Sequence, residues 1–126
     1  MRSSLEPVAG WIERQRMLKS EQELSAIRRS VELNSRAFEQ ALRRIRPGMR
    51  ESDLAAELDY RVRRSGADGP AFDTIVAGGA RTALPHAHPT NAELRRGQLV
   101  LVDMGAMLAG YASDMTRMLQ DRKSVV

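Results

Sequence analysis

Cysteine is absent from the 126 residues. Its absence excludes disulfides, thiolate nucleophiles and thiolate-ligated zinc, so a metal site must be built from carboxylates and the two histidines. Aromatic residues are scarce at 4%, which leaves no platform for stacking nucleobases. No apolar run approaches the roughly 20 residues of a membrane-spanning helix, and residues 1–10 lack the apolar core of a signal peptide. The expectation is a cytoplasmic protein with no membrane partner.

Hydrophobic residues at 42% and charged residues at 29% are the composition of a soluble globular domain, and the length suits one domain rather than two. The net charge is +4, nearly all the cations are arginine, and those of residues 28–46 are interleaved with glutamate along one helical stretch. That pattern reads as a mixed, solvated face, so no nucleic-acid partner is expected. An arginine-rich helical interaction module for RNA or an acidic protein is the alternative from another class. Salt-dependent binding to a random oligonucleotide separates the two.

Residues 1–17 read as a linker or the end of a preceding domain, with Val8, Trp11 and Ile12 on one side of a short helix after Pro7. Ser20 stands three residues before Glu23, the spacing of a capping box, and predicts a helix start. Leu24, Ile27, Val31, Phe38, Leu42 and Ile45 then form the expected apolar stripe, with the helix stopping before Pro47. Leu54, Leu58 and Val62 mark a second amphipathic helix that ends at Gly66. Beyond it the period shortens: residues 72–77 (FDTIVA) read as a strand, a loop with Pro85 and Pro89 follows, and residues 99–105 and 111–118 read as two strands.

If those two strands form a hairpin centred between Leu108 and Ala109, Asp103 lies directly opposite Asp114. Two carboxylates so placed repel unless a proton or cation lies between them, and hard divalent ions accept such oxygen ligands. The alternative is that one or both aspartates occupy an exposed strand end or a turn. His86 and His88, in LPHAHPT, present the same choice between metal ligands and surface residues.

The helix IRRSVELNSRAFEQAL, the turn IRPGM, the segment FDTIVAGGARTALPHAHPT and the hairpin VLVDMGAMLAGYASDMTRM together resemble the pita-bread metallopeptidases. The similarity is to the Xaa-Pro aminopeptidase and prolidase branch of the superfamily that also contains methionine aminopeptidase. The last segment is the most specific, because it carries the family's two aspartates at their usual separation and the Ser-Asp-Met-Thr-Arg ending. The resemblance implies an α+β fold over residues 18–120. This would be the amino-terminal half of a pita-bread (creatinase/aminopeptidase-like) catalytic domain, two amphipathic helices followed by antiparallel strands. It further implies hydrolysis of a proline-containing peptide at its Xaa-Pro bond, two divalent ions (manganese or cobalt) as cofactors, and a homodimer when complete.

Carried over by position, Asp103 matches the first metal ligand and Asp114 the aspartate that bridges both metals. His86 matches the histidine that contacts substrate and helps stabilise the tetrahedral intermediate, whereas His88 falls at a variable position. Arg50 replaces a common capping threonine and Met104 a frequent phenylalanine. The family's later histidine and two glutamates have no counterpart here. The expectation is therefore an incomplete portion of a parent peptidase, inactive by itself. Within the fold, a metal-free creatinase-like hydrolase or a non-catalytic binding protein is the runner-up. Residues 121–126 (DRKSVV) leave the family pattern and can be encoded by the start of a sequencing-library adapter, which reads as an artefactual tail; the alternative is an ordinary polar C-terminal tail.

Overall fold

A computed structural model describes residues 7–120. The reading of residues 121–126 as a tail lies outside them. Three helices come first, α1 (Trp11–Met17), α2 (Glu21–Leu42) and α3 (Glu51–Arg64), and six short strands follow. These are β1 (Gly69–Pro70), β2 (Ile75–Gly78), β3 (Leu99–Met104), β4 (Ala106–Leu108), β5 (Tyr111–Ala112) and β6 (Met115–Gln120), with a 3-10 turn at Gly79–Ala83.

The helix boundaries follow from local chemistry. Ser20 Oγ accepts from the Glu23 amide at 3.2 Å while Glu23 Oε2 accepts from the Ser20 amide at 2.7 Å, so the expected capping box opens α2. Arg50 has no side-chain acceptor to offer as the N-cap of α3. Asp53 Oδ2 supplies half of the cap instead, taking the Arg50 amide at 3.1 Å. At the far end, Gly66 adopts a φ of 101°, and the amides of Gly66 and Ala67 reach back to the Arg63 and Val62 carbonyls. That reciprocal pair is a Schellman ending.

The buried face of α2 differs from the expected stripe. Val31 is 46% exposed, and the inward positions are Ala26, Ser30, Leu33, Asn34, Ala37, Phe38 and Ala41. Small residues let the helix approach the strands closely, and Ser30 and Asn34 are retained there because each finds a backbone carbonyl to bond. In α1 no residue is buried, and Trp11 and Ile12 remain exposed, so the apolar side expected there has no cover among the described residues.

All strand pairings are antiparallel, in two three-stranded sheets ordered β1-β4-β5 and β2-β3-β6. Along β3, Val100, Val102 and Met104 are buried, whereas Leu99, Leu101 and Asp103 are not. The first set joins Leu33, Phe38, Leu54, Leu58, Val62 and Val76 in one core beneath the helices. The second set therefore defines an open face on the other side of the sheet.

Candidate functional site

The hairpin register corrects the sequence expectation. Ala109 and Gly110 both take positive φ, 50° and 81°, as the two central positions of a type I′ turn require. The turn is therefore centred one residue later than expected, and Asp103 pairs with Thr116 rather than with Asp114. Gly110 was the available signal, since glycine adopts positive φ without a Cβ clash. Asp68 Oδ2 secures the tip by accepting the Ala109 amide at 2.8 Å.

Thr116 Oγ1 donates to Asp103 Oδ1 at 2.9 Å. Asp114 precedes β6, two residues before Thr116. Ser113 is buried and Asp114 exposed, so alternation continues through the gap and puts Asp114 on the open face with Asp103. The two carboxylates are thus diagonal neighbours, a relation for which Cα separations of about 7–8 Å are typical. Among the described residues no group of three or more histidine, aspartate or glutamate side chains converges.

Between the two aspartates the backbone bends, and α2 grips the bend. Ser30 Oγ donates to the Ala106 carbonyl at 2.9 Å, and Asn34 Nδ2 to the Met104 carbonyl at 3.2 Å. Across the hairpin, Ser113 Oγ accepts the Ala106 amide at 3.1 Å, a bond that a regular ladder would give to a carbonyl. Gly105 is required here: a Cβ would be driven into the Ser113 carbonyl oxygen and would lie 2.7 Å from the Phe72 ring. Ser30 and Asn34, polar residues at i and i+4 on a buried face, went unremarked in the sequence. That spacing was the signal that could have found them.

His86 and His88 are exposed in the loop that follows β2. Neither ring is in hydrogen-bond contact with another described residue, but the loop backbone is tied down by Glu51 at the start of α3. Glu51 is 1% exposed and accepts from Gly78 N at 2.8 Å, Thr90 N at 2.9 Å, Thr90 Oγ1 at 2.7 Å and Arg81 Nε at 3.2 Å. Burial pushes its carboxyl group up, but the Thr90 and Gly78 hydrogen bonds and the Arg81 charge outweigh that and hold it below the usual carboxylate range. Nothing in the sequence distinguished Glu51, since an acidic residue in a first helical turn is commonplace.

Backbone pairing reinforces the junction. The Glu51 amide donates to Ala92 O and the Ser52 amide to Thr90 O, both at 3.0 Å, while Leu94 N donates to Met49 O at 2.8 Å. A separate open groove of about 420 Å³, lined by Ile45, Leu94, Val100 and Leu119 among others, contains neither aspartate nor either histidine.

An α-helical layer over an antiparallel hairpin, with two aspartates on the hairpin's open face and a histidine-bearing loop beside the first strand, defines a class of carboxylate-centred α+β domain. Residues 25–123 match the model of metallopeptidase family M24, and the chain belongs to that family. It is 41% identical over 102 residues to the Xaa-Pro dipeptidase of Pyrococcus horikoshii, covering 81% of this chain and 29% of that protein. To the Xaa-Pro aminopeptidase of Escherichia coli it is 38% identical, over 81% of this chain and 23% of the relative. The crystal structure of the X-Pro aminopeptidase from Thermotoga maritima superposes with a TM-score of 0.84 at 41% identity, over 86% of this chain and 31% of that one. The fold is thus the expected part of a pita-bread domain, and the chain spans under a third of the length of these relatives.

Proposed function

We propose that this chain is an incomplete portion, the amino-terminal half of the catalytic domain, of a metal-dependent hydrolase that cleaves peptides at an Xaa-Pro bond, as an aminopeptidase or dipeptidase. The observation that carries the reading is the common open face of Asp103 and Asp114 in a chain of family M24. The names of the relatives, Xaa-Pro dipeptidase and Xaa-Pro aminopeptidase, support the substrate class.

The donors fit hard divalent ions, because both are carboxylates turned away from the apolar core. Asp103 and Asp114 would hold two such ions, manganese or cobalt, with further ligands from segments beyond this chain. When bound, divalent ions supply a water of lowered pKa and polarise the scissile carbonyl. The Thr116 hydroxyl, bonded to Asp103 Oδ1, fixes the rotamer of that carboxylate. His86 donates a hydrogen bond where negative charge develops on the carbonyl oxygen, which lowers the barrier only if the imidazole is held in place beforehand. The presence of both aspartates favours this reading over a metal-free creatinase-like one.

The test is Asp114→Asn in the full-length protein, assayed with an Xaa-Pro peptide in the presence of manganese or cobalt. Metal-dependent cleavage should fall by at least about 100-fold. Unchanged cleavage would remove Asp114 from the metal site and the reading with it.

A further inference from the structure

We propose that Glu51 is the positioning residue of the His86 segment: its carboxylate ties both ends of residues 78–90 to the start of α3 and thereby sets where the loop presents the imidazole. The proposal rests on the assignment of His86 to the oxyanion in the reading above.

Residues 79–90 pair with no sheet strand, and the 3-10 turn Gly79–Ala83 is the only regular structure within them. Apart from the Ser52 amide's bond to the Thr90 carbonyl at one end and the 3-10 turn, their geometry comes from side chains. Gly78 at one end and Thr90 at the other both donate to Glu51, so a single carboxylate closes the segment. The middle is secured from the same point. Arg81 Nε bonds both Glu51 oxygens at 3.2 Å, and Arg81 Nη2 donates to the His88 carbonyl at 2.8 Å, two residues beyond His86.

Four donors converge on this group, and a carboxylate, with two oxygens and about four lone-pair sites, can accept from all of them. Glutamine has one acceptor oxygen and would turn an NH₂ toward donors. His86 is exposed and has no partner of its own among the described residues, so the loop backbone alone determines its place. Groups that act on a transition state must be held within about 0.5 Å, a tolerance that an untethered loop of this length does not meet.

The experiment follows amide hydrogen exchange by NMR in the 126-residue chain, comparing the parent with Glu51→Gln and Thr90→Val and with the conservative Thr90→Ser. Glu51→Gln should speed exchange at Gly78 and Thr90 roughly 10- to 100-fold, and by more than it speeds Val102, in the central strand, whose rate rises only with the loss of global stability. Thr90→Val should loosen the same loop, and Thr90→Ser, which keeps the hydroxyl, should restore the parent pattern. Equal acceleration at Val102, or unchanged rates at Gly78 and Thr90, would show that Glu51 serves global stability or nothing in the loop, and would overturn the proposal.

In the full-length protein Glu51→Gln should lower kcat for an Xaa-Pro peptide with little change in KM, because His86 acts on the transition state. A raised KM at unchanged kcat would also overturn the proposal. If the full-length parent cleaves no such peptide while the loop exchange behaves as expected, the peptidase reading fails and the anchoring by Glu51 stands.

Discussion

The hairpin of residues 99–120 and the loop of residues 78–90 carry the side chains proposed for the site, Asp103, Asp114 and His86, and they are built on different principles. The hairpin is held by a repeating ladder and by alternation, with Val100, Val102 and Met104 in the core and Asp103 on the open face. The loop is held by one buried carboxylate that four donors share. Periodic construction spreads the load over many residues, so a single polar change is absorbed unless it strikes the bend. Convergent construction concentrates the load on Glu51 and makes it sensitive to one proton.

The largest expected effect is therefore at the bend. Gly105→Ala places a methyl against the Ser113 carbonyl, the Phe72 ring and the Ala71 side chain, and the carbonyl is backbone that cannot swing aside. It should destabilise the chain by about 3 kcal/mol or more. Urea denaturation checks this. A loss within about 0.5 kcal/mol would show that the two halves of the hairpin do not cross as closely as the structure has them.

The loop should respond to acid through this one carboxylate, Glu51. The carboxyl of Glu51 is depressed in the folded protein relative to its unfolded value of about 4.3. A depressed carboxylate contributes stability that is fully present above the unfolded pKa and lost as pH falls through the folded one. At pH 7, Glu51→Gln should cost about 1–3 kcal/mol. The gap between parent and variant should begin to close near pH 4.3, while the cost of Gly105→Ala, being steric, should stay constant. Denaturation of all three proteins at pH 7, 5 and 3 decides the matter; a gap that does not change with pH would mean that the charge of Glu51 is not what holds the loop.

The same contrast explains what was legible in the sequence. The capping box at Ser20 and Glu23, the apolar face of α3, the Gly66 stop and the strand character of residues 99–104 are local or periodic signals, and all of them appear in the structure. The rotation of α2 is set by side-chain size at the close approach, whereas the apolar stripe in the sequence reflects hydropathy alone. Val31 looked inward by hydropathy, but Ala26, Ala37 and Ala41 occupy the close approach. Glu51 was illegible for a different reason. Its partners lie 27 to 39 residues away in the chain, and nothing in a single sequence says that four donors meet on one carboxylate.

The smallest effects test the register that separates the observed hairpin from the expected one. Gly110 sits at φ 81° with open space around the position of a Cβ, so Gly110→Ala meets no steric neighbour and suffers only from its backbone conformation. The cost should be about 1–2 kcal/mol. Ala109→Asn, which creates the Asn-Gly pair favoured in type I′ turns while leaving the amide bonded to Asp68, should gain about 0.5 kcal/mol. Had the turn been centred between Leu108 and Ala109, Gly110 would be an ordinary strand residue, and alanine there would be neutral or slightly stabilising. The sign of the Gly110→Ala change in thermal denaturation therefore decides between the two registers. With them it decides whether Asp103 faces Thr116, leaving Asp114 on the diagonal, or meets Asp114 directly.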